Sequence, residues 1–96
     1  MDIDVQFGGG LESLFCNKKE LHLRFDHGEN PTICDLIKLL ATRHIKERVE
    51  LFSDGDRIRP GILILVNGVD YELKGGYNCL LESNDEVLFI STLHGG

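Results

Sequence analysis

A single helical stripe stands in a chain otherwise patterned for strands, and that asymmetry limits the fold more than any other feature. Ile33, Leu36, Ile37, Leu40 and Ala41 fall at offsets 0, 3, 4, 7 and 8. That spacing puts all five on one side of a helix. Asn30 reads as its N-cap and Pro31 as its first helical residue. Arg43, His44 and Lys46 suit the negative end of the helix dipole. Before the helix the alternation has a period of two. Ile3, Val5 and Phe7 oppose Asp2, Asp4 and Gln6, and Leu21, Leu23 and Phe25 oppose Glu20, His22, Arg24 and Asp26. These segments predict an antiparallel pair of half-buried strands joined through Gly8, Gly9 and Gly10. Leu11 to Lys19 then forms a bulky loop or lengthens the strands.

After the helix, Glu47 to Pro60 is charged and turn-rich, which predicts mostly loop. Ile62–Val66 is a run of five aliphatics, the pattern of a strand buried on both faces. Asn67-Gly68 supplies a two-residue hairpin turn. Val69, Tyr71 and Leu73 alternate with polar neighbours in a return strand that Gly75-Gly76 ends. Cys79, Leu80 and Leu81 are expected to plug the core from the connection Asn78 to Asp85. The final strand, Glu86–Leu93, is apolar on both faces and too apolar for an edge. It is therefore expected at the centre of the sheet, parallel to the first strand. One helix covers only one face of such a sheet. The expected class is α+β: a β-grasp mixed sheet with one main helix packed across one face. The domain takes residues 1–93, and residues 94–96 form a flexible tail.

Composition narrows the function. At 96 residues, with 42% apolar and 27% charged residues, the chain is one ordinary globular domain. Ten Lys and Arg against sixteen Asp and Glu leave a net charge of −6. That balance argues against direct nucleic-acid binding and suits docking on a basic partner. Asp2 and Asp4 stand where a signal peptide would carry positive charge, and no aliphatic run approaches a membrane span. Cys16, Cys34 and Cys79 are odd in number and widely spaced, a poor disulfide framework. A cytoplasmic, or also nuclear, monomer with reduced thiols is expected. The same three cysteines, 18 and 45 positions apart, exclude a plant-type iron–sulfur protein, which needs four closely spaced thiolates. His22, His27, His44 and His94 lack metal-ligand spacing, so no metal is expected. Gly8-Gly9-Gly10 is followed by neither Lys-Ser/Thr nor a helix start and reads as a turn rather than a phosphate cradle.

The end of the chain carries the chemistry. Gly95 and Gly96 lack a Cβ and can thread a narrow channel, delivering the Gly96 carboxylate to a distant active site. A carboxylate is inert at neutral pH, but its adenylate is open to attack by a thiolate or persulfide. The closing stretch from Asp85 through Ser91-Thr92-Leu93-His94-Gly95-Gly96, the run Pro60 to Gly68 and the opening Phe7-Gly8-Gly9-Gly10-Leu11-Glu12 resemble the ubiquitin-related modifiers of the eukaryotic sulfur-carrier family. The resemblance spans the whole chain.

It implies that Gly96 is adenylated by an ATP-dependent activating enzyme with adenylation and rhodanese-type domains, giving a C-terminal thiocarboxylate. Gly95 and His94 would be its spacer. A tRNA thiolase complex would pass the sulfur to wobble uridine, and the same tail would be joined to lysines of target proteins. The chain is then a substrate and carrier rather than an enzyme, with no bound cofactor. Two other readings share the fold: a non-covalent ubiquitin-like adaptor, and the small subunit of a molybdopterin-type synthase. For partner binding, Val87 and Phe89 are assigned to the core and Leu88, Ile90 and Leu93 to a patch on the open sheet face. The alternative is that the loop Leu11–Lys19 covers that patch.

Overall fold

The computed structural model describes residues 1–92. In chain order the strands and the helix are β1 (Asp2–Gly8), β2 (Glu20–Arg24), α1 (Ile33–Arg43), β3 (Ser53–Asp54), β4 (Arg57–Ile58), β5 (Ile62–Val66), β6 (Val69–Asp70) and β7 (Asp85–Ser91). The main sheet has the order β2-β1-β7-β5-β6. β7 lies at its centre, parallel to β1 and antiparallel to β5. The β-grasp arrangement is thus realised, with α1 across one face. Ile3, Val5, Val87, Phe89, Ile62, Ile64 and Val66 from the sheet share one core with Ile33, Leu36, Ile37 and Leu40 of α1.

The helix starts later than its punctuation suggested. Thr32, not Asn30, is the N-cap: its hydroxyl accepts the Asp35 N–H, and the Asp35 carboxylate accepts the Thr32 N–H. This reciprocal capping box satisfies two otherwise orphaned donors. Pro31 stays outside because its stretch is paired elsewhere. The Leu81 N–H donates to the Pro31 carbonyl at 2.9 Å, and the Ile33 N–H donates to the Cys79 carbonyl at 3.0 Å.

The segments between strands hold more structure than their composition suggested. Leu11–Phe15 is a 3₁₀ turn that buries Leu11, Leu14 and Phe15. Within Glu47–Pro60, a 3₁₀ turn at Val49–Leu51 leads into the β3–β4 hairpin, and Phe52 is fully buried. Phe7 stacks on Phe15 at 3.9 Å between ring centroids, Phe15 meets Phe52 edge-on at 5.3 Å, and Phe52 leans on Phe89 at 5.4 Å. Four aromatic rings therefore tie both irregular segments to the two central strands.

The β5–β6 hairpin matches its turn residues. Asn67 and Gly68 both have positive φ, 51° and 82°, as a tight hairpin of this kind requires. Asn67 also fastens the start of β7, donating from its side-chain amide to Asp85 at 2.8 Å and accepting the Glu86 N–H at 2.9 Å. The return strand is shorter than expected. Pairing stops after Asp70, whose carboxylate accepts the Glu72 N–H and turns the chain into a 3₁₀ segment, Tyr71–Lys74. That turn leaves Leu73 81% exposed. In the following connection Cys79 and Leu81 enter the core, whereas Leu80 points outward.

On the open face, β1 and β2 carry an ionic cluster. The His22 ring lies 2.7 Å from Asp4 and 3.2 Å from Asp2, and the Arg24 Nε–H donates to Asp2 at 3.1 Å. Hydrogen bonds to Asp4 and then Asp2 raise the His22 pKa, and hydrogen bonds from Arg24 and His22 lower that of Asp2. The signs oppose each other. The His22 contribution to stability is fully present below the ordinary histidine value and fades as pH rises through the raised one. The Asp2 contribution is present above the ordinary carboxylate value and is lost as pH falls through the depressed one.

Replacing Phe52 by Ala should cost about 3–5 kcal/mol in denaturant unfolding, as for other buried aromatics. Leu73→Ala should stay within about 0.5 kcal/mol. An NMR titration should place the His22 pKa above that of a histidine in an unstructured peptide, and Asp4→Asn should bring it down.

Candidate functional site

The site is built around the end of β7. Ser91 pairs with Ile62 of β5, and the Thr92 N–H and hydroxyl both donate to the Gly61 carbonyl at 2.7 Å. On the β1 side, Gly9 packs so closely against Ser91 that a Cβ there would overlap the Ser91 carbonyl oxygen. Gly9 also has φ of 66°, in the left-handed region. A glycine is therefore required at position 9 on two counts, close approach and backbone conformation. These contacts clamp the chain through Thr92 and fix the exit end of β7. Leu93, His94, Gly95 and Gly96, on which the tail and spacer expectations rest, lie outside the described residues.

Beside this exit lies an apolar patch. Val87 and Phe89 are fully buried on the helix side, while Leu88 and Ile90 are half-buried on the opposite face. Register sets Leu65 opposite Leu88 and Leu63 opposite Ile90. Ile90 also lies against Gly8, where a Cβ would meet its side chain at 3.4 Å. The patch thus consists of Leu63, Leu65, Leu88 and Ile90.

Sequence reasoning missed Leu63 and Leu65 because it read Ile62–Val66 as buried on both faces. In the structure β5 is buried on one face only, and Leu63 is 45% exposed. The covering loop is also placed differently. Leu11, Leu14 and Phe15 turn to the helix side with Phe7, so the 3₁₀ turn plugs the core rather than shielding the patch. Leu63 is exposed and Leu65, Leu88 and Ile90 are half-buried, so the four together leave aliphatic surface open to solvent, a feature that marks binding surfaces when it is contiguous.

Two of the three thiols, Cys34 and Cys79, are poor nucleophiles by environment. Cys34 is half-buried and donates to the Asp56 carboxylate at 3.2 Å; burial and that carboxylate push its pKa up. Burial likewise raises the Cys79 pKa. Both effects disfavour the reactive thiolate. Cys16 is exposed. His44 is shifted down, by burial and then by Lys18 and Arg43. Among the described residues, no three His, Cys, Asp or Glu side chains are placed to hold a metal. The chemistry this arrangement can offer is presentation: a strand end hydrogen-bonded on both sides, with an apolar surface beside it.

Comparison with known proteins agrees with this geometry. The family model for Urm1, ubiquitin related modifier, matches residues 2–96. A ubiquitin-related modifier 1 homolog of Drosophila grimshawi is 47% identical over 96 residues, covering 100% of this chain and 92% of that protein. The solution structure of Urm1 from Trypanosoma brucei superposes with a TM-score of 0.82 at 45% identity, covering 99% of this chain and 95% of that one. The fold extends further, to the Amycolatopsis orientalis BexX/CysO complex, at a TM-score of 0.72 and 17% identity over 98% of this chain and 99% of that one. With a family model spanning nearly its whole length and relatives near half identity, the chain belongs to the Urm1 family of ubiquitin-related modifiers.

Proposed function

We propose that this chain is a sulfur carrier and protein modifier that works through the carboxyl group of Gly96. An ATP-dependent activating enzyme couples the carboxylate to AMP and releases pyrophosphate. A persulfide on its rhodanese-type domain then attacks the acyl carbon and displaces AMP. Cleavage of the resulting acyl disulfide by a second thiol leaves the thiocarboxylate on Gly96 and a disulfide on the enzyme. A tRNA thiolase complex takes the sulfur for wobble-uridine 2-thiolation. When an isopeptide bond is formed instead, a lysine amine of a target protein attacks the acyl carbon of the adenylate and displaces AMP. Gly95 and His94 serve as spacer, ATP is consumed by the enzyme, and the chain itself needs no bound cofactor. It works as a monomer in the cytoplasm.

The observation that carries this reading is the construction of the strand end. A central strand is poorly suited to yielding under load, because it is paired on both sides. Here it leads directly to the terminal residues and brings an exposed aliphatic patch to within two residues of Thr92. A partner seated on Leu63, Leu65, Leu88 and Ile90, the surface to which Leu93 is also assigned from the sequence, grips the domain by the strand paired on both edges while Gly96 enters its active site.

Incubation with ATP and a sulfur-loaded activating enzyme should add to the intact mass the difference between sulfur and oxygen. Deletion of Gly96 should abolish that gain. No gain in the presence of a demonstrably active enzyme would favour the adaptor reading. With the fold intact by NMR, Leu88→Asp should raise the KM for activation roughly tenfold, about 1.4 kcal/mol of lost binding. An unchanged KM would remove the patch from the interface.

A further inference from the structure

A second surface lies on the other side of the strand end. An open groove of about 560 Å³ runs between the 3₁₀ turns Leu11–Phe15 and Val49–Leu51 and the stretch leading into β5. Leu14, Leu51, Pro60 and Ile62 give it an apolar lining, and Leu51 is 52% exposed. Arg48 and Arg59 line it too, and Ser91 closes it at the root of the terminal segment. Arg48 holds a φ of 57°, an uncommon conformation for a non-glycine residue.

The charge here runs against the character of the chain. The net charge is −6, yet Arg48 borders both this groove and a smaller hollow that contains Lys46. Lys46 in turn borders a third hollow with Lys18 and Arg43. Five of the ten Lys and Arg residues thus follow one strip. Among the described residues, the ion pairs within 4.0 Å involve only His22 and Arg24 as cations, so none of these five is neutralised by one. Unpaired cations beside an apolar trough are complementary to carboxylates flanking an apolar side chain.

We propose that this groove docks an acidic segment of a partner protein, with an aliphatic side chain seated between Leu14 and Leu51 and carboxylates held by Arg48 and Arg59. A polyanionic nucleic acid fits less well. The lining offers no aromatic ring for base stacking, Glu50 lies in the groove and Glu47 in the adjoining hollow, and the overall charge repels a polyanion. Arginine forks favour planar carboxylates, and the lining aliphatics supply the specificity that charge alone lacks. Because Ser91 closes the groove, its occupant sits beside the end of β7. On the proposed carrier function, a partner handling Gly96 reaches patch and groove together and straddles the strand end.

The test is an amide NMR titration of the full chain with a capped peptide, Glu-Leu-Asp-Leu-Glu, and its uncharged match, Gln-Leu-Asn-Leu-Gln. The acidic peptide should shift Arg48, Leu51, Arg59 and Ile62, and the uncharged one should bind at least tenfold more weakly. Arg59→Gln should weaken the acidic peptide severalfold, and Glu50→Gln should tighten it. Each variant is checked for unchanged spectral dispersion, and two substitutions of opposite effect separate binding from damage to the fold. The proposal is overturned by equal binding of both peptides, by shifts confined to the Leu63–Leu88 face, or by no shift at millimolar peptide. It is also overturned by groove shifts that depend on protein concentration alone, which would make the occupant a second copy, or by tighter binding of a short oligonucleotide. None of these outcomes depends on sulfur transfer, so failure of the carrier reading would appear separately, as an absent mass gain.

Discussion

The two-sided pairing of β7 is the constraint from which the rest of the structure follows. Its parallel partner β1 and antiparallel partner β5 satisfy its backbone on both edges. Parallel pairing with the first strand makes the fold depend on contacts between the two ends of the sequence. It also requires the crossover to contain α1, which then has one face of the sheet to cover. Val87 and Phe89 lie under that cover, and Leu88 and Ile90 are left on the other side. A binding surface at the strand end is thus a consequence of building a five-stranded sheet with a single helix.

The aromatic chain Phe7, Phe15, Phe52 and Phe89 completes the core at the end of the sheet where the terminal segment departs. It carries the segments Leu11–Phe15 and Val49–Leu51 with it, and their outer surfaces form the walls of the basic groove. Core packing and surface chemistry are therefore coupled at this end. The same rings that exclude water from Phe89 position Arg48 and Leu51. The molecule presents two dissimilar surfaces around one exit, an aliphatic patch on the open face and an apolar trough lined with arginines. The two surfaces differ in charge as well as shape, since the arginines line only the trough.

The alternating strands and the helical stripe were legible because each rests on a periodicity that burial enforces, and the central placement of the last strand because so apolar a segment does not suit an edge. Ile3, Val5 and Phe7 are buried as their pattern required, and Ile33, Leu36, Ile37 and Leu40 are fully enclosed. What escaped were features set by tertiary pairing. Asn30-Pro31 carries good local capping chemistry, but Pro31 is held by Leu81, and Thr32 takes the cap. Val69 to Leu73 alternates like a strand, yet the Asp70 side chain redirects the backbone after two residues. Phe52 follows Val49 and Leu51 with no clear period of two or of 3.6, and the turn residues Ser53-Asp54-Gly55-Asp56 beside it made the stretch read as loop. Leu63 and Leu65 were obscured because an unbroken aliphatic run has the same appearance whether its second face is covered or exposed. The terminal glycines gave the strongest functional signal, through resemblance rather than through any pattern a fold imposes.

β7 is paired on both sides, and the proposed function needs it to be the most securely held element of the sheet. Native-state hydrogen exchange tests this directly. The amides of Val87, Leu88, Phe89 and Ile90 should exchange only through global unfolding, with the same denaturant dependence as the unfolding transition, while edge-strand amides in β2 and β6 open locally. Exchange of the β7 amides through local opening, at free energies no higher than those of the edges, would contradict it.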